Sequence, residues 1–141
     1  MSLIYTDYQK LGFDKIRDIK LFATVEPDSE LLIKNLTRQF YDPFFHSLVD
    51  DLKSDDKFTV FRATQYQRAI ALQCEFAVAS GATTPYEQQQ QGLTSVEIGR
   101  TTIQQDGSAT VAVTYGNTGV VTTAIDVLAP TGLLYRGVHS R

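Results

Sequence analysis

Tryptophan is absent from this 141-residue chain, and cysteine occurs once, at Cys74. A single thiol excludes an intrachain disulfide, a zinc knuckle and a thioredoxin-like pair. No apolar run approaches the roughly 18 residues that a membrane-spanning helix needs. The opening Met1-Ser2-Leu3-Ile4-Tyr5-Thr6-Asp7-Tyr8 has neither the basic patch nor the long apolar stretch of a secretory signal. Together these features predict synthesis and folding in a reducing cytoplasm. Positive charge is not in excess either: 13 basic against 16 acidic side chains give a net charge of −3 and a pI near 5.3. That balance excludes the dense basic footprint of a protein that binds nucleic acid by neutralising phosphates. No repeat of solenoid or propeller period is present.

What is there is ordinary globular composition, 43% apolar and 21% charged, in a length that suits one domain. The charge is unevenly spread. Residues 1–80 hold 22 of the 29 charged side chains, whereas 11 of the 16 threonines lie beyond Gly81. Helix formers dominate the first part, and strand and turn formers the second. The expected architecture is mainly α: a small helical bundle, a β-rich loop and a C-terminal arm. Within a single domain over 1–141, the helical body spans about 14–81, a loop and β-hairpin 82–118, and a short helix with the arm 119–141.

The first strong helix is predicted from about Ser29 to Tyr41, started by Pro27-Asp28-Ser29. Leu32, Leu36 and Phe40 form its apolar stripe. An additional helix is expected near Asp14–Thr24. Asp42-Pro43 reads as the start of a second, short helix carrying Phe44, Phe45, Leu48, Val49 and Leu52 on one face. A third helix is expected over Arg62–Ser80, with Tyr66, Ala69, Ile70, Leu72, Gln73, Phe76 and Ala77 on its apolar side and Gly81 as its left-handed cap. Beyond the loop with Gln88–Gln91, alternation at Val96 and Ile98 and at Val111, Val113 and Tyr115, around the turn Asp106-Gly107, predicts a hairpin. Val120 to Leu128 forms a last short helix, with Thr118 as cap and Pro130 as stop. The glycine-flanked tail Gly132-Leu133-Leu134-Tyr135-Arg136-Gly137-Val138 cannot bury its apolar side chains within a helix of its own.

Catalytic signatures are poor, and no cofactor or metal is expected. His46 lies among phenylalanines and reads as structural. His139 is near the end, and Cys74 reads as a small buried hydrophobe. The stretch Asp50-Asp51-Leu52-Lys53-Ser54-Asp55-Asp56 lacks the alternating ligands and central glycine of a calcium loop. It reads as a solvated helix end, with a hydrolase or nuclease built on these aspartates as the enzymatic rival. Gly116-Asn117-Thr118-Gly119 has no P-loop lysine. Nothing assembles nucleophile, base and oxyanion donor, so the chain reads as a non-enzyme.

Several motifs in order carry a resemblance. Tyr5-Thr6-Asp7-Tyr8-Gln9-Lys10-Leu11-Gly12, Leu36-Thr37-Arg38-Gln39-Phe40-Tyr41, Tyr66-Gln67-Arg68-Ala69-Ile70-Ala71-Leu72-Gln73, Ser95-Val96-Glu97-Ile98-Gly99 and Gly132-Leu133-Leu134-Tyr135-Arg136-Gly137-Val138 follow one another along the chain. This succession resembles the small head–tail connector (adaptor) proteins of long-tailed bacteriophages and prophages. The resemblance implies a virion protein, assembled in the host cytoplasm, whose copies form a ring of about twelve beneath the portal protein. Such a ring extends the DNA channel, lets DNA pass without sequence preference, and presents a surface to a stopper or tail-completion protein. It implies a portal-docking arm with Leu133, Leu134, Tyr135, Arg136 and Val138, and an inter-subunit hairpin with Val96, Ile98, Ile103, Val111, Val113 and Tyr115. No membrane is involved. The alternative is a small prophage-encoded module that contacts single-stranded nucleic acid through Arg62, Tyr66 and Arg68.

Overall fold

One long helix, flanked on several sides, organises the molecule. The computed structural model describes residues 2–81 and 119–134. Its regular elements among those residues are all helical: α1 (Tyr5–Lys10), α2 (Ile19–Leu36), α3 (Leu48–Leu52), α4 (Lys57–Ser80) and α5 (Thr122–Leu128), followed by a 3-10 turn (Ala129–Thr131). The expected hairpin, with Val96, Ile98, Ile103, Val111, Val113 and Tyr115, lies outside the described residues.

Helix α4 is the axis. It begins five residues before the predicted Arg62, because the Asp56 side chain accepts from the Thr59 amide at 3.0 Å. It ends as predicted at Gly81, whose φ of 75° is the left-handed cap that glycine adopts without strain. Its buried residues are too many for one stripe: Ala63, Tyr66, Ala69, Ile70, Ala71, Gln73, Cys74, Phe76 and Ala77 surround the axis. A helix buried on most sides needs neighbours on most sides. Helices α2 and α5 supply the largest contacts, and α1 and α3 cover the remainder. Its alanines let these neighbours approach closely.

Helix α2 corrects the predicted boundary. It is one continuous helix from Ile19 to Leu36 that joins the expected Asp14–Thr24 segment to the segment assigned to 29–41, and Pro27 sits inside it. An interior proline removes one backbone hydrogen bond, at a cost of about 3 kcal/mol. Phe22, Val25, Glu26, Ser29, Ile33 and Leu36 are all buried at helical spacing across the proline, and that uninterrupted face outweighs it. Asp18, not Asp28 or Ser29, is the N-cap, accepting from the Lys20 amide at 3.0 Å.

The chain leaves α2 through two consecutive left-handed non-glycine residues, Arg38 (φ 61°) and Gln39 (φ 60°). The Gln39 amide donates to the Lys34 carbonyl at 2.7 Å, and Thr37 Oγ1 donates to the Ile33 carbonyl at 3.0 Å. These bonds hold a conformation that costs roughly 1–2 kcal/mol per residue. Asp42 then accepts from the Phe44 amide at 2.9 Å and makes a turn, so Asp42-Pro43 does not start a helix. The helix starts at Leu48, because Ser47 is extended and caps it by accepting from the Asp50 amide. As a result Phe44 and Phe45 point outward, at 85% and 64% exposure, and do not form part of a buried helical face.

At the other end of the sequence, α5 starts at Thr122 with Val121 as its N-cap position, and Thr118 lies outside the described residues. It stops at Leu128, and Pro130 sits within the 3-10 turn that follows. No helix of the described residues is long and apolar enough to cross a membrane.

Candidate functional site

The return of the chain at residue 119 is fixed by one buried amide. Gln73 Nε2 donates to the Gly119 carbonyl at 3.0 Å, and Gln73 Oε1 accepts from the Val121 amide at 2.8 Å. A fully buried glutamine is thereby satisfied at both ends, as a buried polar group must be. About two turns earlier along α4, Gln65 Nε2 donates to the Val127 carbonyl at 3.0 Å. The segment then folds back on the body. Thr131 Oγ1 donates to the Leu128 carbonyl at 2.6 Å and accepts from the Leu133 amide at 3.1 Å, while Gly132 turns the backbone at φ 81°. Leu133 is 5% exposed within the core and Leu134 packs half-buried against it.

Leu133, expected in the docking arm, is held inside its own chain because the Thr131 and Gly132 turn directs it there. Tyr135, Arg136 and Val138 lie outside the described residues.

Beside this segment stands an aromatic edge with charge set into it. Arg62 Nε donates to the Tyr41 hydroxyl at 3.1 Å and Arg62 Nη2 to Asp51 Oδ2 at 3.1 Å, while Tyr41 donates to the same carboxylate at 2.8 Å. Burial pushes the Tyr41 hydroxyl up to about 12, with Arg62 opposing and Asp51 adding to the shift, so the phenol stays neutral. Burial alone would lower the Arg62 guanidinium, but Tyr41 and Asp51 hold it above its ordinary value. The guanidinium lies 4.8 Å from the centre of the Phe40 ring and 6.0 Å from that of Phe58. Phe40 in turn stacks on His46 at 4.0 Å, which gives this histidine a structural contact. Outside this packed set Phe44, Phe45, Val49 and Phe61 are exposed, and Phe58 within it is half-exposed.

A second, buried polar cluster went unread in the sequence. Glu26 is 1% exposed, and its Oε2 has no hydrogen-bond partner among the described residues. Glu30 lies one turn along α2. Its two oxygens accept from the Ser2 amide and the Ser2 hydroxyl, both at 2.8 Å, and Gln67 Nε2 donates to the Ser2 carbonyl at 3.1 Å. Burial, followed by Glu30 beside it, pushes the Glu26 carboxyl up to about 9. Burial alone would raise Glu30 as well, but Glu26 and the Ser2 donors bring its carboxyl below the ordinary value. The pair thus holds one proton at neutral pH. The signal available in the sequence was position: Glu26 falls in register with Phe22, Ser29 and Ile33.

The remaining candidates are scattered. Tyr66 is fully buried and packs on Tyr41 at 4.8 Å, Arg62 is engaged with Asp51, and Arg68 donates to Gln65 Oε1 at 2.7 Å. They do not form one exposed stacking platform for single-stranded nucleic acid. The aspartates serve separate helices: Asp50 and Asp51 occupy the first turn of α3, and Asp56 caps α4. Among the described residues no group of three or more His, Cys, Asp or Glu gathers around a point where a metal would sit. Cys74 is fully buried and its thiol is pushed up to about 12 by burial, which makes it a packing residue.

No family model matches the chain, and no solved structure matches it. Curated relatives do. The chain is 34% identical to the uncharacterised protein ORF4 of Lactococcus phage LL-H, over 98% of this chain and 96% of the relative. It is 33% identical to the uncharacterised protein ORF4 of Lactococcus phage mv4, with the same coverage. Identity of this extent spans the helical body and both flanks, and the chain belongs to the phage protein family that these ORF4 proteins represent.

Proposed function

We propose that the protein is a structural part of the phage neck, a head–tail adaptor that works by assembly and not by catalysis. In this reading its copies form a ring between the portal protein and a stopper or tail-completion protein, and the ring extends the channel through which DNA passes. The observation that carries the reading is full-length kinship with phage proteins, joined to a motif order like that of the connectors. An assembly role also accounts for phenylalanines left exposed at the edge of an otherwise well-buried body. A ring requires two different, complementary side surfaces on each subunit.

Two measurements test this. Purified virions should contain the protein, and a specific antibody should label the head–tail joint; its absence from virions overturns the proposal. A chain lacking residues 135–141 should keep the helical content and melting temperature of the full chain while failing to join portal rings. Retained co-assembly by that chain would remove the arm from the account.

A further inference from the structure

We propose that the bond between Met1 and Ser2 is cut, and that the freed Ser2 ammonium is the cation held by the carboxyl pair Glu26 and Glu30. The inference concerns the chain itself and stands apart from the neck assignment. It begins from a shortage of positive charge. Glu26 is buried and Glu30 half-buried on α2, and among the described residues no ion pair reaches either. Neighbouring groups do not make up the shortage. Lys34 on the same helix is taken by Asp42 at 3.4 Å. Asp7 of α1 and His46 border a cavity of about 480 Å³ with Ser2, Glu30 and Lys34, and Asp7 adds only another acid. From α4 come Tyr66 and Cys74, both kept neutral by burial. In the 141-residue chain the shortage is met by the proton that Glu26 keeps.

Ser2 stands where the missing charge can arise. Its nitrogen donates to Glu30 Oε1 and its hydroxyl to Glu30 Oε2, both at 2.8 Å, while Gln67 Nε2 holds its carbonyl at 3.1 Å. The Leu3 amide, next along, donates to the Glu26 carboxyl, and Leu3 is fully buried. The Ser2 nitrogen is therefore pinned beside both acids. As an amide it has one hydrogen, already spent on Glu30. As an ammonium it has three, so one keeps Glu30 and another turns to Glu26 Oε2, the buried atom without a partner. Hydrolysis makes the change. Water adds across the Met1–Ser2 peptide bond, the methionine carbonyl becomes a carboxyl, and its proton passes to the released Ser2 amine. An α-amino group has an ordinary pKa of about 7.7–8.0, and carboxylates beside it favour the charged form further. The catalyst is an aminopeptidase that removes methionine ahead of a residue as small as serine. It acts on the nascent chain, before Leu3 is buried and fixes Ser2 against α2. Any cut that leaves Ser2 first gives the same ammonium, whatever precedes Met1.

Two chains released from tagged precursors, one beginning at Met1 and one at Ser2, test this. The Ser2-first chain should melt several degrees higher near neutral pH. From about pH 5 to pH 8 the Met1-first chain should lose stability as Glu26 gives up its proton, while the Ser2-first chain holds level. Acetylating the Ser2 amine removes the charge and keeps the chain, so it should return both readings to those of the Met1-first chain. Glu26→Gln with Glu30→Gln should erase the difference between the two chains. The untagged protein made in a bacterial cytoplasm should weigh one methionine residue less than the full sequence. Methionine retained there, or an equal or lower melting temperature for the Ser2-first chain, overturns the proposal. So does an acetylated chain as stable as the free amine, or a difference that survives the glutamine pair.

Discussion

The middle of α2 and the turn that follows it invert the usual rule of burial in opposite ways. In its middle the helix buries Glu26, a carboxyl, to 1% exposure. Just past its C-terminal end the chain exposes Phe44 to 85%. The buried acid is tolerated because it keeps its proton beside Glu30, whose own carboxylate is held by the Ser2 donors. The exposed rings are tolerated because nothing in a monomer requires every apolar side chain to be covered. Residue type alone therefore predicts neither site. What decides is register with the buried face at Glu26 and the backbone turn at Asp42 for the phenylalanines. Violations of local preference concentrate where a protein does something other than fold.

The comparison breaks most visibly by truncating one phenylalanine on each side of it. Phe22, buried on α2, should cost about 3–5 kcal/mol when replaced by alanine, whereas Phe44→Ala should stay within roughly 0.5 kcal/mol in the same denaturant titration. Comparable losses would mean that Phe44 is a core residue.

Next in size is a dependence on pH. The folded-state pKa of Glu26 lies well above its ordinary value of 4.5, so the folded protein binds the extra proton. Its stabilising contribution is therefore complete below pH 4.5 and is lost as pH rises through about 9. Stability should fall by on the order of 1 kcal/mol per pH unit between about pH 5 and pH 8. Glu26→Gln, which keeps the neutral amide in place, should flatten that slope in melts across the range. An equally steep slope in the variant would assign the effect to another group.

The smallest effect concerns the strained step that aims the rings. Arg38→Gly should stabilise the protein by about 1 kcal/mol, seen as a higher melting temperature, because glycine adopts the left-handed backbone without a Cβ clash. The matching change at Gln39 should act in the same direction, while neither should alter the exposure of Phe45.

Much of the body was legible from the sequence for reasons these tests also touch. Helix α4 announced itself by periodicity and by Gly81, and Cys74 by its place in mid-helix with no histidine near it in sequence. Helix α2 was cut short because Pro27 reads as a boundary, although the buried face runs through it from Phe22 to Leu36. Phe44 and Phe45 fitted a helical face because periodicity records spacing, not whether anything sits opposite. Leu133 read as free because the Thr131 hydroxyl that folds it inward bonds only to backbone, which leaves no mark in side-chain pattern. Short helix α1 was missed as an element because six residues hold too few turns for a period to show.

Gln73 has an evolutionary consequence. Eight residues separate it from Gly81, about 12 Å along α4, so the chain departs from the helix and is clasped again near the same end of it. Any residue at position 73 that cannot both donate and accept loses this clasp, so a lineage should change Gln73 far more slowly than the exposed positions of α4.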